Sequence, residues 1–143
     1  MKRLPYLLLT FMLAACSTID CPVNTLVESL YMICDSTGEN VKMLDTLSVF
    51  TTRADDELVR LNRGAGLSKF HLQVSYTHPE DIFIFHFDLV SANVRVTDTV
   101  WVKKEDYTHF ESVDCNSAFF HKVTDVRSTH NYIDSIVIVN PTI

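Results

Sequence analysis

Two alternating runs constrain this chain more than any other feature. Phe70, Leu72, Val74 and Tyr76 fall on one side of an extended backbone, and Lys69, His71, Gln73 and Ser75 on the other. Phe83, Phe85, Phe87 and Leu89 repeat the pattern a few residues later. Successive side chains of a strand point to opposite faces, so a period of two marks a half-buried strand. Thr77-His78-Pro79-Glu80 lies between the runs and predicts a hairpin loop. Matching the apolar faces pairs Leu72 with Phe85, Val74 with Phe83 and Phe70 with Phe87. The same register sets His71 opposite His86 and Lys69 opposite Asp88.

The remainder reads the same way. Residues 25–34, 43–52, 57–61, 94–102, 118–126 and 133–139 are short strand-like runs. Turn clusters separate them at Asp35-Ser36-Thr37-Gly38-Glu39-Asn40 and Asn62-Arg63-Gly64-Ala65-Gly66, and a longer mixed connection is expected over Tyr107–Ser117. No stretch holds a helical period. Seven to eight short strands predict an all-β fold, an antiparallel β-sandwich of the immunoglobulin-like or Greek-key type. A barrel is the alternative, but three glycines leave few places for the bends that closure favours.

The N-terminus carries an export signal. Met1-Lys2-Arg3 is basic, Leu4 to Met12 is apolar apart from Thr10, and Ala14 and Ala15 close the run. It is too short to span a bilayer, which takes roughly 20 apolar residues as a helix. Leu13-Ala14-Ala15-Cys16 resembles a bacterial lipobox. That resemblance implies a diacylglycerol thioether on Cys16, and two or more acyl chains make a stable anchor. The expected organisation is a signal peptide over 1–15, a lipidated tether over 16–23 and one sandwich domain over 24–143. Ser17 in place of aspartate, and a single acidic residue in Ser17-Thr18-Ile19-Asp20, favour the periplasmic face of the outer membrane over the cell surface.

With Cys16 taken by lipid, Cys21, Cys34 and Cys115 remain. An oxidising envelope permits one bridge. Cys21 and Cys115 stand in polar, loop-like surroundings, whereas Cys34 ends the apolar run Tyr31-Met32-Ile33 and reads as a buried thiol. A Cys21–Cys115 disulfide is expected, closing a loop worth about 4–5 kcal/mol in the chain-entropy model. The other two pairings stay open to the sequence. A net charge of −6, without a Lys/Arg cluster, opposes nucleic-acid binding. The expected partners are the membrane, through the anchor, and an envelope protein or glycan.

Candidate sites are few. His71 and His86, if opposed across two strands, would place two imidazoles within reach of one metal ion. Trp101 shares a phase with Arg95, Thr97, Thr99 and Lys103, on the side away from Val96, Val100 and Val102. With Tyr107 nearby, it suggests a stacking platform for a sugar ring. Neither Asp55-Asp56-Glu57 nor Asp35/Glu39 has the spacing of a calcium loop. The chain holds no G-x-S-x-G and no Cys/His pair with a plausible base, so no enzyme, catalytic residue or cofactor is expected. A small hydrolase with an unrecognised site is the remaining alternative. Ser36, Thr46, Thr99 and Ser135 each follow an aspartate in a pattern resembling the O-glycosylation sequon of Bacteroidota envelope proteins.

Asp114-Cys115-Asn116-Ser117-Ala118-Phe119-Phe120-His121, then Arg127-Ser128-Thr129-His130 and the segment from Ile133 to Pro141, together with Cys16-Ser17-Thr18-Ile19-Asp20-Cys21-Pro22, resemble small envelope lipoproteins of gut Bacteroidota that share a domain of unknown function. The resemblance covers the whole mature chain. It implies no activity or cofactor, and it adds weight to Cys21 and Cys115 as partners.

Overall fold

The computed structural model describes residues 28–53, 56–76, 78–109 and 117–139. They form eight strands: β1 (Glu28–Cys34), β2 (Thr46–Arg53), β3 (Asp56–Ala65), β4 (Lys69–Gln73), β5 (Glu80–Leu89), β6 (Val94–His109), β7 (Ala118–Ser128) and β8 (Ser135–Val139). All pairings are antiparallel. One sheet has the order β4-β1-β8, the other β3-β2-β5-β6-β7. The expected sandwich is what these residues form.

Alternation supplies the core. Tyr31 and Ile33 of β1 and Phe70 and Leu72 of β4 face inward from the smaller sheet. Leu47 and Val49 of β2, Phe83, Phe85 and Phe87 of β5, and Val100 and Val102 of β6 face them from the larger one. Aromatic rings join the layers: Phe70 meets Phe85 edge-on at 5.8 Å, and Tyr31 meets Phe83 edge-on at 6.1 Å.

The predicted hairpin between residues 69–76 and 83–89 is not formed. β4 pairs with β1, and β5 pairs with β2 and β6, so the two most regular runs belong to opposite sheets. Their connection is an arch across the sandwich. Both phenylalanine faces still point into one core, because an arch and a hairpin bury the same alternate residues. The arch is held by Asp81, whose Oδ2 accepts the Ser75 N–H at 2.9 Å, and by Pro79, whose carbonyl accepts the Lys104 N–H at 2.9 Å.

Two further boundaries differ from expectation. Asn62 to Ala65 lie within β3 and not in a turn. The register slips between Leu47 and Val49 of β2, so this glycine-rich stretch is a bulge, with Arg63 in the left-handed region at φ 49°. The actual turn follows at Gly66, φ 64°. β6 also runs on to His109 and pairs with β7 as a long two-stranded arm. Tyr107 to His109 are therefore strand, not connection.

Candidate functional site

The sandwich has two unlike ends. The start of β1, the ends of β4 and β8, and the β6–β7 arm share one end. The other end, here the tip, collects the β1–β2, β3–β4, β5–β6 and β7–β8 connections. Buried or half-buried carboxylates pin those connections. Asp98, fully buried on the inner face of β6, accepts the backbone N–H groups of Asn131 (2.7 Å), Tyr132 (2.8 Å) and Ile133 (2.9 Å) and the Thr129 hydroxyl (2.5 Å). Burial alone would push its carboxyl up, but these four donors together hold it below the usual carboxylate range. Asp45 accepts the Val90 N–H at 3.1 Å and the Tyr132 hydroxyl at 2.7 Å. Desolvation, then the bond to Asp45, pushes the Tyr132 phenol up to about 12.

Two concavities open at this end. A cleft of about 270 Å³ is lined by Cys34, Lys42, Met43, Asp45, Tyr132 and Asp134. Cys34 is buried and free, as its apolar run predicted. A shallower groove of about 530 Å³ lies on the outer corner of the larger sheet, between the β2–β3 bulge and the β5–β6 turn. The tip also carries the three most exposed large aliphatic residues of the described chain, Leu44 (86%), Val90 (74%) and Val94 (53%).

The sequence-derived residues do not converge on one site. His71 and His86 sit on the outer faces of opposite sheets, and the expected cross-strand pair does not exist. His71 lies opposite Leu30 and approaches Glu28 at 3.9 Å; His86 bonds Thr97 at 2.8 Å and packs edge-on against Phe50. The pairing failed with the hairpin that generated it. Trp101 does lie on the polar outer face, as its phase required. The Arg127 guanidinium sits over its ring, 5.5 Å from the centroid, and Arg127 is tied in turn to Glu80 at 2.7 Å. Tyr107 is six residues further along the same strand, roughly 20 Å away at ~3.3 Å per residue. The two rings do not make a joint platform. Ser36 is exposed in its turn, while Thr46, Thr99 and Ser135 are half-buried strand residues. Cys16, Cys21 and Cys115 lie outside the described residues.

The larger omission from the sequence reading is a polar cluster under the β6–β7 arm. Lys104, with a fully buried side chain, donates to Asp106 Oδ1 at 2.6 Å. The same oxygen meets Nδ1 of His121, whose side chain is 1% exposed. Burial raises the Asp106 carboxyl, but the bonds from Lys104 and His121 outweigh it and keep the group ionised below its usual range. The Tyr76 ring packs against the imidazole, centroids 5.8 Å apart, and meets the Phe119 ring edge-on at 5.8 Å. His121 Nε2 is buried with no partner among the described residues. An Asp-oriented imidazole can serve as a base. Here the second nitrogen is buried, and the bonds tie β6 to β7 within the arm, with Tyr76 packed against them from the β4–β5 connection.

Residues 46–143 match the model of a family of unknown function, DUF6452. The chain belongs to this family. The match opens on the first residue of β2 and takes in β2 to β8. Every strand of the larger sheet, the Asp98 staple and the Lys104–Asp106–His121 cluster lie within the matched residues. β1, the middle strand of the smaller sheet, lies ahead of the match and contributes Tyr31 and Ile33 to the core of this chain. No curated protein and no solved structure matches the chain.

Proposed function

We propose that this DUF6452 protein is a lipid-anchored, non-catalytic binding component of the bacterial outer envelope, held through Cys16 at the periplasmic face of the outer membrane. The observation that carries the reading is the polarity of the sandwich, taken with the signal that ends at Cys16. β1 starts at the end opposite the tip, with Glu28 beside Gln73. Eleven residues lie between Cys16 and Glu28, a reach of at most about 40 Å. An anchor there leaves the tip, with Leu44, Val90, Val94 and both concavities, as the end that points away from the bilayer. The β5–β6–β7 meander and its phenylalanine core form the rigid body that presents it. The partner on this reading is an envelope protein or glycan.

Fractionation tests the anchor. The wild-type chain, expressed in a bacterial host with lipoprotein processing, should incorporate labelled palmitate and require detergent for release. Cys16→Ala should lose the label and enter the soluble fraction. A Cys16→Ala chain that stays labelled and membrane-bound would overturn the reading.

A further inference from the structure

The groove at the outer corner of the tip contains two guanidinium groups of unequal standing. Arg95 is committed to Asp88, through Nε at 2.6 Å and a terminal nitrogen at 3.0 Å. Arg63 forms no ion pair with any described residue. It adds, behind the hydrogen bond from Arg95, to the pull that keeps the Asp88 carboxyl below its usual range. The lining holds two guanidinium groups and one carboxylate, and Asp45, which accepts the Val90 N–H, adds a second carboxylate beside it; Arg63 is the guanidinium without a direct partner among the described residues.

The backbone aims that charge. Arg63 occupies the left-handed region, which is unfavourable for any residue with a Cβ. Gly64 is the next residue and would adopt such a φ freely, yet the bulge sets the left-handed position one residue earlier. Ser48 Oγ accepts the Arg63 N–H at 3.1 Å and fixes it there. Asn93, at φ 51°, lines the same groove. Two of the three left-handed non-glycine residues among those described therefore flank it. Leu89, Val90 and Val94 supply an aliphatic wall.

We propose that this groove binds a carboxylate carried on a short aliphatic group, with Arg63 as the fork that takes the carboxylate and Val90 and Val94 against the aliphatic part. A planar guanidinium matches a carboxylate through two parallel hydrogen bonds. The volume exceeds what a bare carboxyl fills, and the wall explains the remainder. The C-terminus of a peptide ending in aliphatic residues and a free short-chain fatty acid both offer this chemistry. The inference rests on the tip being a binding end; its test does not depend on where the chain is anchored.

The test is titration of the full-length chain in detergent, followed by NMR at the Arg63 side chain and the Val90 and Val94 methyls. The probes are N-acetyl-Ala-Val-Val as the free acid, the same peptide as its C-terminal amide, pentanoate, and inorganic phosphate. The free acid should give saturable shifts, with the amide about tenfold weaker, the loss expected for one charged hydrogen-bond pair. Arg63→Gln should lose about as much as the amide does. Pentanoate matching the peptide would support the site with a fatty acid as its source; a tighter peptide would support it with a chain terminus. Equal binding of acid and amide, or phosphate binding above the acid, would overturn it, and that comparison needs no variant. A folded Arg63→Gln chain with unchanged affinity would do the same.

Discussion

Replacing Asp98 with alanine is expected to lower the unfolding free energy by about 3–5 kcal/mol, because three backbone N–H groups, one buried and two part-buried, lose their acceptor at once. For a domain of this size that shifts Tm down by roughly 10–20 °C. Asp98→Asn should recover less than half of the loss. Whichever way its amide turns, the nitrogen meets a backbone donor, the Asn131 N–H on one side or those of Tyr132 and Ile133 on the other. Thr129→Val, which removes one hydroxyl donor and leaves the carboxylate with three others, should cost only about 1 kcal/mol. Equilibrium urea unfolding orders the three variants. An alanine variant within 1 kcal/mol of wild type would show that water replaces the carboxylate at little cost and that the staple is not what fixes the β7–β8 crossover.

The same carboxylate sets a pH dependence of defined sign. Its folded pKa is depressed, so the unfolded chain binds the proton more readily than the folded one. The stability it contributes is complete above the unfolded carboxyl pKa, near 3.9. It is lost as pH falls from there through the folded value. The wild-type protein should therefore weaken more steeply on acidification than Asp98→Asn, whose slope lacks this group. Asp106 is depressed for a related reason and adds the same slope to both chains, so the difference between them isolates Asp98.

The fold class was legible because the core is written in a period of two. Phe83, Phe85 and Phe87 keep that period without a break, and their burial followed from it directly. What the period does not encode is which strand lies beside which. Neighbouring runs joined by a short polar loop favour a hairpin, and the stretch from Val74 to Pro79 satisfies that pattern as well as it satisfies an arch. The His71/His86 pair depended on that choice and fell with it. The Arg63-Gly64 stretch misled for a similar reason: glycine beside polar residues marks a turn or a bulge alike. Asp98 and Lys104 carried a signal that was missed. Both share the phase of Val96, Val100 and Val102, so a charged group at either position had to be buried. A carboxylate in a buried phase requires donors to meet it, and an ammonium requires an acceptor. Their partners at Asn131 to Ile133 and at Asp106 come from segments that only the folded chain brings together.

Phe85→Ala is the second large effect, about 3–5 kcal/mol of lost stability. Phe85 is fully buried on the middle strand of the larger sheet, between Val49 on β2 and Asp98 on β6. Its ring meets Phe70 of the opposite sheet at 5.8 Å and Phe87 of its own at 6.3 Å. Removing it opens a cavity at the one place where both layers and the Asp98 staple adjoin, and paired strands on either side keep the backbone from collapsing into the gap. Phe85→Leu retains most of the volume and should cost under about 1.5 kcal/mol. Val90→Ala at the exposed tip should fall within about 0.5 kcal/mol of wild type. Combining Phe85→Ala with Asp98→Ala should give less than the sum of the two losses, because each variant already loosens the contact that the other relies on. Strict additivity in urea unfolding would mean that the aromatic core and the buried carboxylate hold the two sheets independently.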